Sequence, residues 1–322
     1  MNVVHYLAAF GMGFGLTLVG VPLVARLARF AGAMDRPNAR KVHKVPTPLW
    51  GGLAVFVAYV TAIVAVLFAS PSAWAEVAPK AGPLVGMLLG SFMIVLTGMI
   101  DDRFNMPAKV KLVCQLLTGA VMIYWGVRID YLSYGQGVIY LTNWQAIGLT
   151  LFWIVGITNA INLLDGLDGL VAGVALGSSL VFMVVAALKG QWMVVLVMAA
   201  LAGSALGFLR YNFNPAQIFM GDTGSLFLGL NFAGWSIVGL LKTTTAVAVA
   251  IPVLIMAVPI LDTTFAIIRR SLARRPIFAP DKGHLHHRLL GAGLTQRQAV
   301  VMIYAINMMF GLAGLALACV AQ

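Results

Sequence analysis

Charged residues and cysteines are scarce in this chain. Only 10% of its 322 residues are charged, against about one quarter in a soluble domain. The two cysteines, Cys114 and Cys319, lie in apolar runs without CxxC or metal-ligand spacing, which argues against a disulfide framework. Acids are especially few, with 10 Asp and Glu against 21 Lys and Arg. These shortages argue against an ordinary soluble fold.

Apolar residues, in contrast, make up 61% of the chain. A membrane-spanning helix needs about 20 mostly apolar residues. We therefore predict an all-α polytopic integral membrane protein with about ten transmembrane helices, forming one domain over residues 1–322. The apolar segments cover residues 3–24, 51–69, 83–100, 108–127, 145–159, 169–188, 191–208, 225–241, 245–264 and 298–319.

The basic residues predict the topology. Residues 1–10 contain no Lys or Arg, and a basic cluster follows the first apolar segment, which argues against a cleaved signal and places the N-terminus outside. With ten spans the C-terminus is also outside. The outer loops then hold only four of the 21 basic residues: Lys80, Arg128, Lys189 and Lys242. This positive-inside bias explains the net charge of +11 without nucleic-acid binding.

The acidic residues need another explanation, because acids contribute little to topology. Only Glu76 and Asp130 fall outside. The other acids are all aspartates in inner loops or at inner helix ends: Asp35, Asp101, Asp102, Asp165, Asp168, Asp222, Asp262 and Asp281. We expect some of them to serve a site on the cytoplasmic side.

Two loops stand out from the helical pattern. The outer stretch from Tyr131 to Thr142 alternates around two glycines and predicts a short β-hairpin with a structural role. The inner stretch from Arg269 to Arg297 contains Pro276 and Pro280, and a loop of this length is more often functional than idle.

Two acidic motifs lie at inner helix ends. Asp101 and Asp102 end the third apolar segment, where acids oppose the helix dipole and a metal or ligand would offset that. The run NAINLLDGLDG joins the fifth and sixth segments and, if helical, places Asp165 and Asp168 on one face, as it does Asn159 and Asn162. A solvated helix end and simple helix capping are the structural alternatives.

Three further motifs could bind anions. The run NFNPAQIFMGDTGS ends near a helix N-terminus, where a phosphate could bind beside a metal on Asp222. The run HLHHR carries clustered imidazoles and suits an anion clamp better than structural zinc. The basic loop from Asp35 to Pro48 could instead contact anionic lipid headgroups.

Together these clusters predict a Mg²⁺ or Mn²⁺ site, because Mg²⁺ prefers carboxylates, substrate phosphates and water. A cytoplasmic metal site in a membrane-embedded chain predicts phosphoryl transfer between a nucleotide-linked donor and a lipid phosphate or alcohol. A transporter is the main alternative, although transport acids usually lie near mid-membrane. The CDP-alcohol phosphotransferases are a second enzyme alternative, but in their motif the Asp-Gly pair is followed by other residues than in this chain. A scaffold protein is a third alternative, although it would not need the aspartates.

The motifs NAINLLDGLDG, NPAQIFMGDTGS, Asp-Asp and HLHHR resemble those of the polyprenyl-phosphate N-acetylhexosamine-1-phosphate transferases over nearly the whole chain. The resemblance is closer to the WecA/TagO branch than to MraY, because His286-His287-Arg288 stands where MraY enzymes carry three histidines. It implies a multi-pass enzyme of the bacterial inner (plasma) membrane that transfers GlcNAc 1-phosphate, by default, from a UDP-N-acetylhexosamine to undecaprenyl phosphate. UMP would be released, and the product would initiate a cell-envelope glycan such as lipopolysaccharide or teichoic acid.

The resemblance also implies residue roles. Asp222 would be the principal Mg²⁺ ligand, Asp101 and Asp102 would form the metal and lipid-phosphate site, and Asp165 would support it. Substrate-binding residues would be Lys44, Asn162, Asp168, Asn212, Phe219, His284, His286, His287 and Arg288. The expected partners are the two substrates and membrane lipids, with a homodimer left open. We expect direct in-line attack by the lipid phosphate, with double displacement through an aspartyl intermediate as the alternative.

Overall fold

A computed structural model describes residues 1–37, 45–134, 137–241, 249–274 and 283–320. The first half of the chain forms α1 (Val3–Ala31), β1 (Met34–Asp35), β2 (Thr47–Pro48), α2 (Gly51–Ala69), α3 (Pro71–Val77), a 3₁₀ turn (Ala78–Lys80), α4 (Ala81–Phe104), α5 (Ala108–Tyr124), β3 (Tyr131–Tyr134) and β4 (Gly137–Tyr140). The second half forms α6 (Asn143–Leu164), α7 (Leu170–Leu188), α8 (Trp192–Asn212), α9 (Gly221–Ser236), a π turn (Ile237–Leu241), α10 (Ala250–Ile255), α11 (Ala257–Leu272), α12 (Leu285–Gly291) and α13 (Gln296–Val320).

The helices confirm an all-α membrane protein. In the described parts of the chain, seven helical stretches are long and apolar enough to cross a membrane: Val3–Ala31, Gly51–Ala69, Pro71–Phe104, Asn143–Leu164, Leu170–Leu188, Trp192–Asn212 and Gln296–Val320. Each of the ten predicted apolar segments contains α-helix. However, α5, α9 and α11 have only 17, 16 and 16 residues. Ten spans and the placement of both termini therefore stay predictions.

Several helices extend past their apolar segments. The helix predicted to end near residue 24 continues to Ala31, and the one predicted to end near residue 159 continues to Leu164. The extra turns carry polar residues such as Arg29 and Asn162, which hydrophobicity alone assigns to loops. These helices therefore reach beyond their apolar segments, and the extra turn of α6 carries Asn162.

Helix α9 lies at the centre of the bundle, and almost all of its side chains are buried. Two glycines allow its first turn to pack closely. A Cβ atom on Gly52 of α2 would overlap the backbone of Gly224, and one on Gly98 of α4 would overlap the backbone of Thr223. Small residues permit such close approach of membrane helices. The two glycines thus fix the turn that carries Asp222.

The predicted hairpin is present, with β3 and β4 antiparallel and Tyr131 opposite Tyr140. A second antiparallel pair, β1 with β2, was not predicted, because two-residue strands have no readable period. This pair leads into a backbone ladder in which Phe219 N–H donates to the Pro48 carbonyl at 2.9 Å and Gly51 N–H donates to the Phe219 carbonyl at 3.0 Å. The ladder fixes the backbone of Phe219.

Candidate active site

A cavity of about 410 Å³ lies where the C-terminal ends of α4, α6 and α8 meet the N-terminal ends of α7, α9 and α13. Aspartates from four separate stretches of chain line it, and three of these stretches are the helix ends at which the sequence places aspartates. The polar, aromatic and imidazole residues in its wall are Asp35, Asp101, Asp102, Asn105, Asn162, Asp165, Asp168, Asn212, Phe219, Asp222, His286, His287 and Gln296.

Asp222 is held by groups from two helices. The side-chain amide of Asn162 donates to Asp222 Oδ1 at 2.7 Å, and the Lys111 ammonium pairs with Asp222 Oδ2. Lys111 also forms an ion pair with Asp101 Oδ2. A single ammonium therefore compensates two carboxylates in a partly buried site.

Asp101 and Asp102 point to different partners, as neighbouring helical residues must. Asp101 Oδ1 accepts the Met106 N–H at 2.6 Å, and its other oxygen faces Lys111. Asp102 Oδ1 accepts the Asp222 N–H at 2.8 Å, while its Oδ2 accepts the Thr223 N–H at 3.2 Å and the Thr223 hydroxyl at 2.6 Å. Asp102 thus caps α9, whose own N-cap residue, Met220, supplies no side-chain cap.

The backbone just before Asp222 also has a conformation that the contact with Asp102 requires. Gly221 has φ of 70°, in the left-handed region that favours glycine. A Cβ atom there would overlap the carboxylate of Asp102. Asp102 can therefore reach the first turn of α9 only if this position lacks a side chain.

Asp165 and Asp168 differ in their surroundings. Burial raises the pKa of Asp165 well above its ordinary value, and the nearby carboxylates of Asp222, Asp102 and Asp168 raise it further. Asp168 Oδ2 instead accepts hydrogen bonds from the Asn214 side chain at 2.9 Å and the Ala216 N–H at 3.1 Å. Asp165 is thus suited to hold a proton, whereas Asp168 ties two loops together.

Asn212 makes a second link between the same loops. Its Oδ1 accepts the Gly169 N–H at 3.0 Å, and its Nδ2 donates to the Ile218 carbonyl at 2.9 Å. The DGLDG and NPAQIF segments therefore form one rigid wall of the cavity, which includes the fixed Phe219.

The histidine segment is split between two environments. His286 and His287 line the cavity, and His286 lies directly against Gly166. Burial, together with the neighbouring His287 and His284, lowers the pKa of His286 to about 4. This favours a neutral His286 at pH 7, and the anion clamp that the sequence indicates stays a prediction.

His284 does not line the cavity in the structure. Its Nδ1 pairs with Asp262 Oδ2 at 2.9 Å, and the other oxygen of Asp262 accepts the Leu285 N–H at 2.8 Å. Arg288 is likewise absent from the cavity wall within the described residues. Lys44 lies outside the described residues, so its predicted role stays a prediction.

Sequence reasoning missed Lys111, Asn105 and Gln296. Lys111 was counted only as a topological charge, because one basic residue at an inner helix end looks like any other. Its position at the start of the helix that follows the Asp101–Asp102 pair does not distinguish it from Lys109. Asn105 and Gln296 give no signal either.

The oxygen-rich wall fits a magnesium ion in its chemistry. Within the described ranges, no group of three or more His, Cys, Asp or Glu side chains is arranged to hold a metal. However, Mg²⁺ in transferases commonly uses one or two carboxylates plus substrate phosphates and water. Asp101 and Asp222 already face one shared cation, the Lys111 ammonium. These two carboxylates are suitable protein ligands.

Comparison with known proteins supports a transferase. Residues 84–240 match the profile of Glycosyl transferase family 4. The chain is 41% identical to a probable undecaprenyl-phosphate N-acetylglucosaminyl 1-phosphate transferase of Bacillus subtilis, over 98% of this chain and 86% of that protein. It is 37% identical to the decaprenyl-phosphate N-acetylglucosaminephosphotransferase of Mycobacterium leprae, over 90% and 78%. It is 30% identical to the undecaprenyl-phosphate alpha-N-acetylglucosaminyl 1-phosphate transferase of Escherichia coli K12, over 86% and 74%.

Proposed function

Because this chain belongs to the WecA/TagO-like polyprenyl-phosphate N-acetylglucosamine-1-phosphate transferases, we propose that its cavity binds UDP-GlcNAc and the phosphate of undecaprenyl phosphate. The reaction releases UMP and leaves a lipid-linked diphosphate sugar. The relatives favour this reaction over the transporter alternative. The observation that carries the proposal is the convergence of Asp101 and Asp222 on one polar cavity, where both carboxylates pair with the Lys111 ammonium.

The main barrier to this reaction is the approach of two anions. A phosphate monoester has a second pKa near 6, so the lipid phosphate is mostly dianionic at pH 7. Asp101 and Asp222 would hold Mg²⁺, which when bound supplies positive charge near the phosphates. In this arrangement Lys111 would turn from the carboxylates to the phosphate oxygens, because its ammonium lies where the metal would bind between the two acids.

The proposed step is a single displacement. An oxygen of the lipid phosphate forms a bond to the sugar-linked phosphorus, and the bond from that phosphorus to the bridging oxygen breaks, so that UMP carries the electron pair away. Asp101 and Asn162 position reacting groups, and no proton needs to be abstracted from the dianion. Double displacement through an aspartyl intermediate would require a free carboxylate oxygen and leaves a trappable adduct.

We also propose that the cavity faces the cytoplasm of a bacterial plasma membrane. Arg103, Arg210 and Arg297 lie at the same ends of the bundle as the cavity, which is the distribution that the positive-inside rule expects for a cytoplasmic face. UDP-sugars are cytoplasmic nucleotides, so donor and cavity would share a compartment. With ten spans, both termini would lie outside.

The proposal is tested with purified protein in detergent. Undecaprenyl phosphate, Mg²⁺ and a panel of UDP-sugars are added, and UMP release is measured, with and without a chelator. Asp222→Asn should abolish turnover and still fold. Asp130→Asn is a matched control, because Asp130 pairs with Arg128 beside the hairpin, away from the cavity. Wild-type rates in Asp222→Asn would refute the metal assignment, and absent UMP from every UDP-sugar would refute the donor.

A further inference from the structure

Helices α5 and α6 are joined by a reciprocal amide pair. The side-chain amide of Gln115 donates to Asn159 Oδ1 at 3.2 Å, and the Asn159 amide donates to Gln115 Oε1 at 2.7 Å. Asn159 also donates to the Val155 carbonyl at 2.8 Å, which fixes its side chain against its own helix. Gln115 is only 2% exposed. Neither residue lines the cavity.

The pair lies one helical turn from the two groups that hold Asp222. Lys111 precedes Gln115 by four residues on α5, and Asn162 follows Asn159 by three on α6, so each functional residue shares a helix face with one member of the pair. Lys111 contacts Asp222 Oδ2, and Asn162 contacts Asp222 Oδ1. The spacing of α5 and α6 therefore decides whether both oxygens of Asp222 are held at once.

Helix α5 packs against α4 and α6 through a small number of buried residues. Only four of its 17 residues are buried, namely Gln115, Thr118, Gly119 and Met122. Thr118 donates to the Cys114 carbonyl within α5 and so makes no link to α6. Among the described residues, the amide pair is consequently the side-chain hydrogen-bonded link between α5 and α6 nearest the cavity.

We propose that Gln115 and Asn159 are positioning residues for the transfer reaction. By setting the spacing of α5 and α6, the pair orients the carboxylate of Asp222 between Lys111 and Asn162. The inference rests on the proposed function. Because both side chains are neutral and lie outside the cavity, their loss changes geometry and leaves the charge of the site unchanged. They act on the reaction only through Lys111 and Asn162.

The kinetic test compares Gln115→Leu and Asn159→Leu with the exchanged variant, in which Gln115→Asn and Asn159→Gln are combined. A misplacement of about 1 Å can lower a rate about 100-fold, so we expect each Leu variant to lower kcat by at least about tenfold. KM for UDP-GlcNAc should stay within about twofold, because the cavity wall is intact. The exchanged variant rebuilds an amide pair and should recover most of kcat.

A matched control is Asn307→Leu. Asn307 is a buried amide that donates to Ser178 Oγ at 3.2 Å, linking α13 to α7. Its loss should lower the thermal unfolding midpoint without a comparable loss of kcat. Wild-type kcat in both Gln115→Leu and Asn159→Leu would overturn the proposal. The proposal would also be overturned if, for an equal loss of stability, kcat fell in the Leu variants only as far as it falls in Asn307→Leu, and if the exchanged variant did not recover it.

A second measurement does not depend on turnover. Spin labels are attached to Val113→Cys on α5 and Gly156→Cys on α6, in a protein whose Cys114 and Cys319 are replaced by Ser. Val113 is exposed, and a Cβ atom on Gly156 meets open space. Gln115→Leu should broaden or shift the distance between the labels. An unchanged distance would refute the positioning role even if every UDP-sugar failed as donor, whereas a changed distance with no UMP release would count against the proposed function alone.

Discussion

The carboxylate of Asp102 accepts the backbone N–H of Asp222 at 2.8 Å, so an acid in the last turn of α4 holds the first turn of α9. Its neighbour Asp101 instead faces the Lys111 ammonium. Two adjacent aspartates, which the sequence presents as equivalent, therefore have separate tasks. Asp102 holds the first turn of α9, and Asp101 lines the cavity beside the Lys111 ammonium.

This separation predicts different losses in Asp102→Asn and Asp101→Asn. An asparagine at 102 can accept with only one atom, so a buried donor at the start of α9 loses its partner at a loss of about 1–3 kcal/mol. Both variants should lose activity, but only Asp102→Asn should lower the unfolding midpoint strongly. Thermal unfolding in detergent, measured beside UMP release, distinguishes them. Equal midpoints for the two variants would contradict the assignment.

Lys111→Met should lower kcat by about 100-fold or more. The change leaves the carboxylates of Asp101 and Asp222 adjacent without a shared cation. It also removes a positive charge from the proposed phosphate site. Lys109→Met is the matched control, because Lys109 is exposed and lies two residues away on the same helix. Steady-state UMP release checks this prediction. Equal losses in both variants would indicate a general effect of charge at this membrane edge.

Gly166→Ala should impair donor binding by displacing His286. The added methyl group would overlap the imidazole, which is 3% exposed and has little room to move. We expect KM for UDP-GlcNAc to rise about tenfold with a smaller effect on kcat. Gly156→Ala, where a methyl group meets open space, should behave like wild type. A wild-type KM in Gly166→Ala would show that His286 does not contact the donor.

The lowered pKa of His286 predicts that the stability of the folded protein depends on pH. Its pKa is lowered to about 4 in the folded protein, whereas an unfolded histidine titrates near 6.5. Between these values the unfolded state binds more protons, so folding stability falls as the pH drops from about 6.5 toward 4. His286→Gln should show a smaller slope over this range. Unfolding midpoints from pH 4.5 to 7.5 test this, and parallel slopes would show that His286 titrates normally.

Asp262→Asn should disturb catalysis from outside the cavity. It weakens the pair with His284 and thereby the anchor of the segment that carries His286 and His287. We expect a higher KM for UDP-GlcNAc, and the combination with His284→Gln should be no worse than either single variant. Additive effects would indicate that His284 acts separately, for example in direct contact with substrate as its motif suggested.

The sequence could predict the convergence of Asp101, Asp165 and Asp222, because each follows or precedes an apolar segment at the same predicted face. It could not separate Asp101 from Asp102, since which oxygen meets which helix depends on packing. Nor could it show that Asn162 points into the cavity while Asn159 points to Gln115, because both share one helix face. The sequence did not mark Lys111 as a site residue, because the positive-inside rule already accounts for the basic residues at the inner face.

The glycines at 52 and 98 have a consequence for how this enzyme class can diversify. They leave no space between α2, α4 and the turn of Asp222, so even a methyl group there would shift the acid from its partners. Larger residues at positions 52 and 98 should therefore be poorly tolerated. New sugar preferences should arise instead where His287 and Gln296 line the cavity, because neither residue packs against these two glycines.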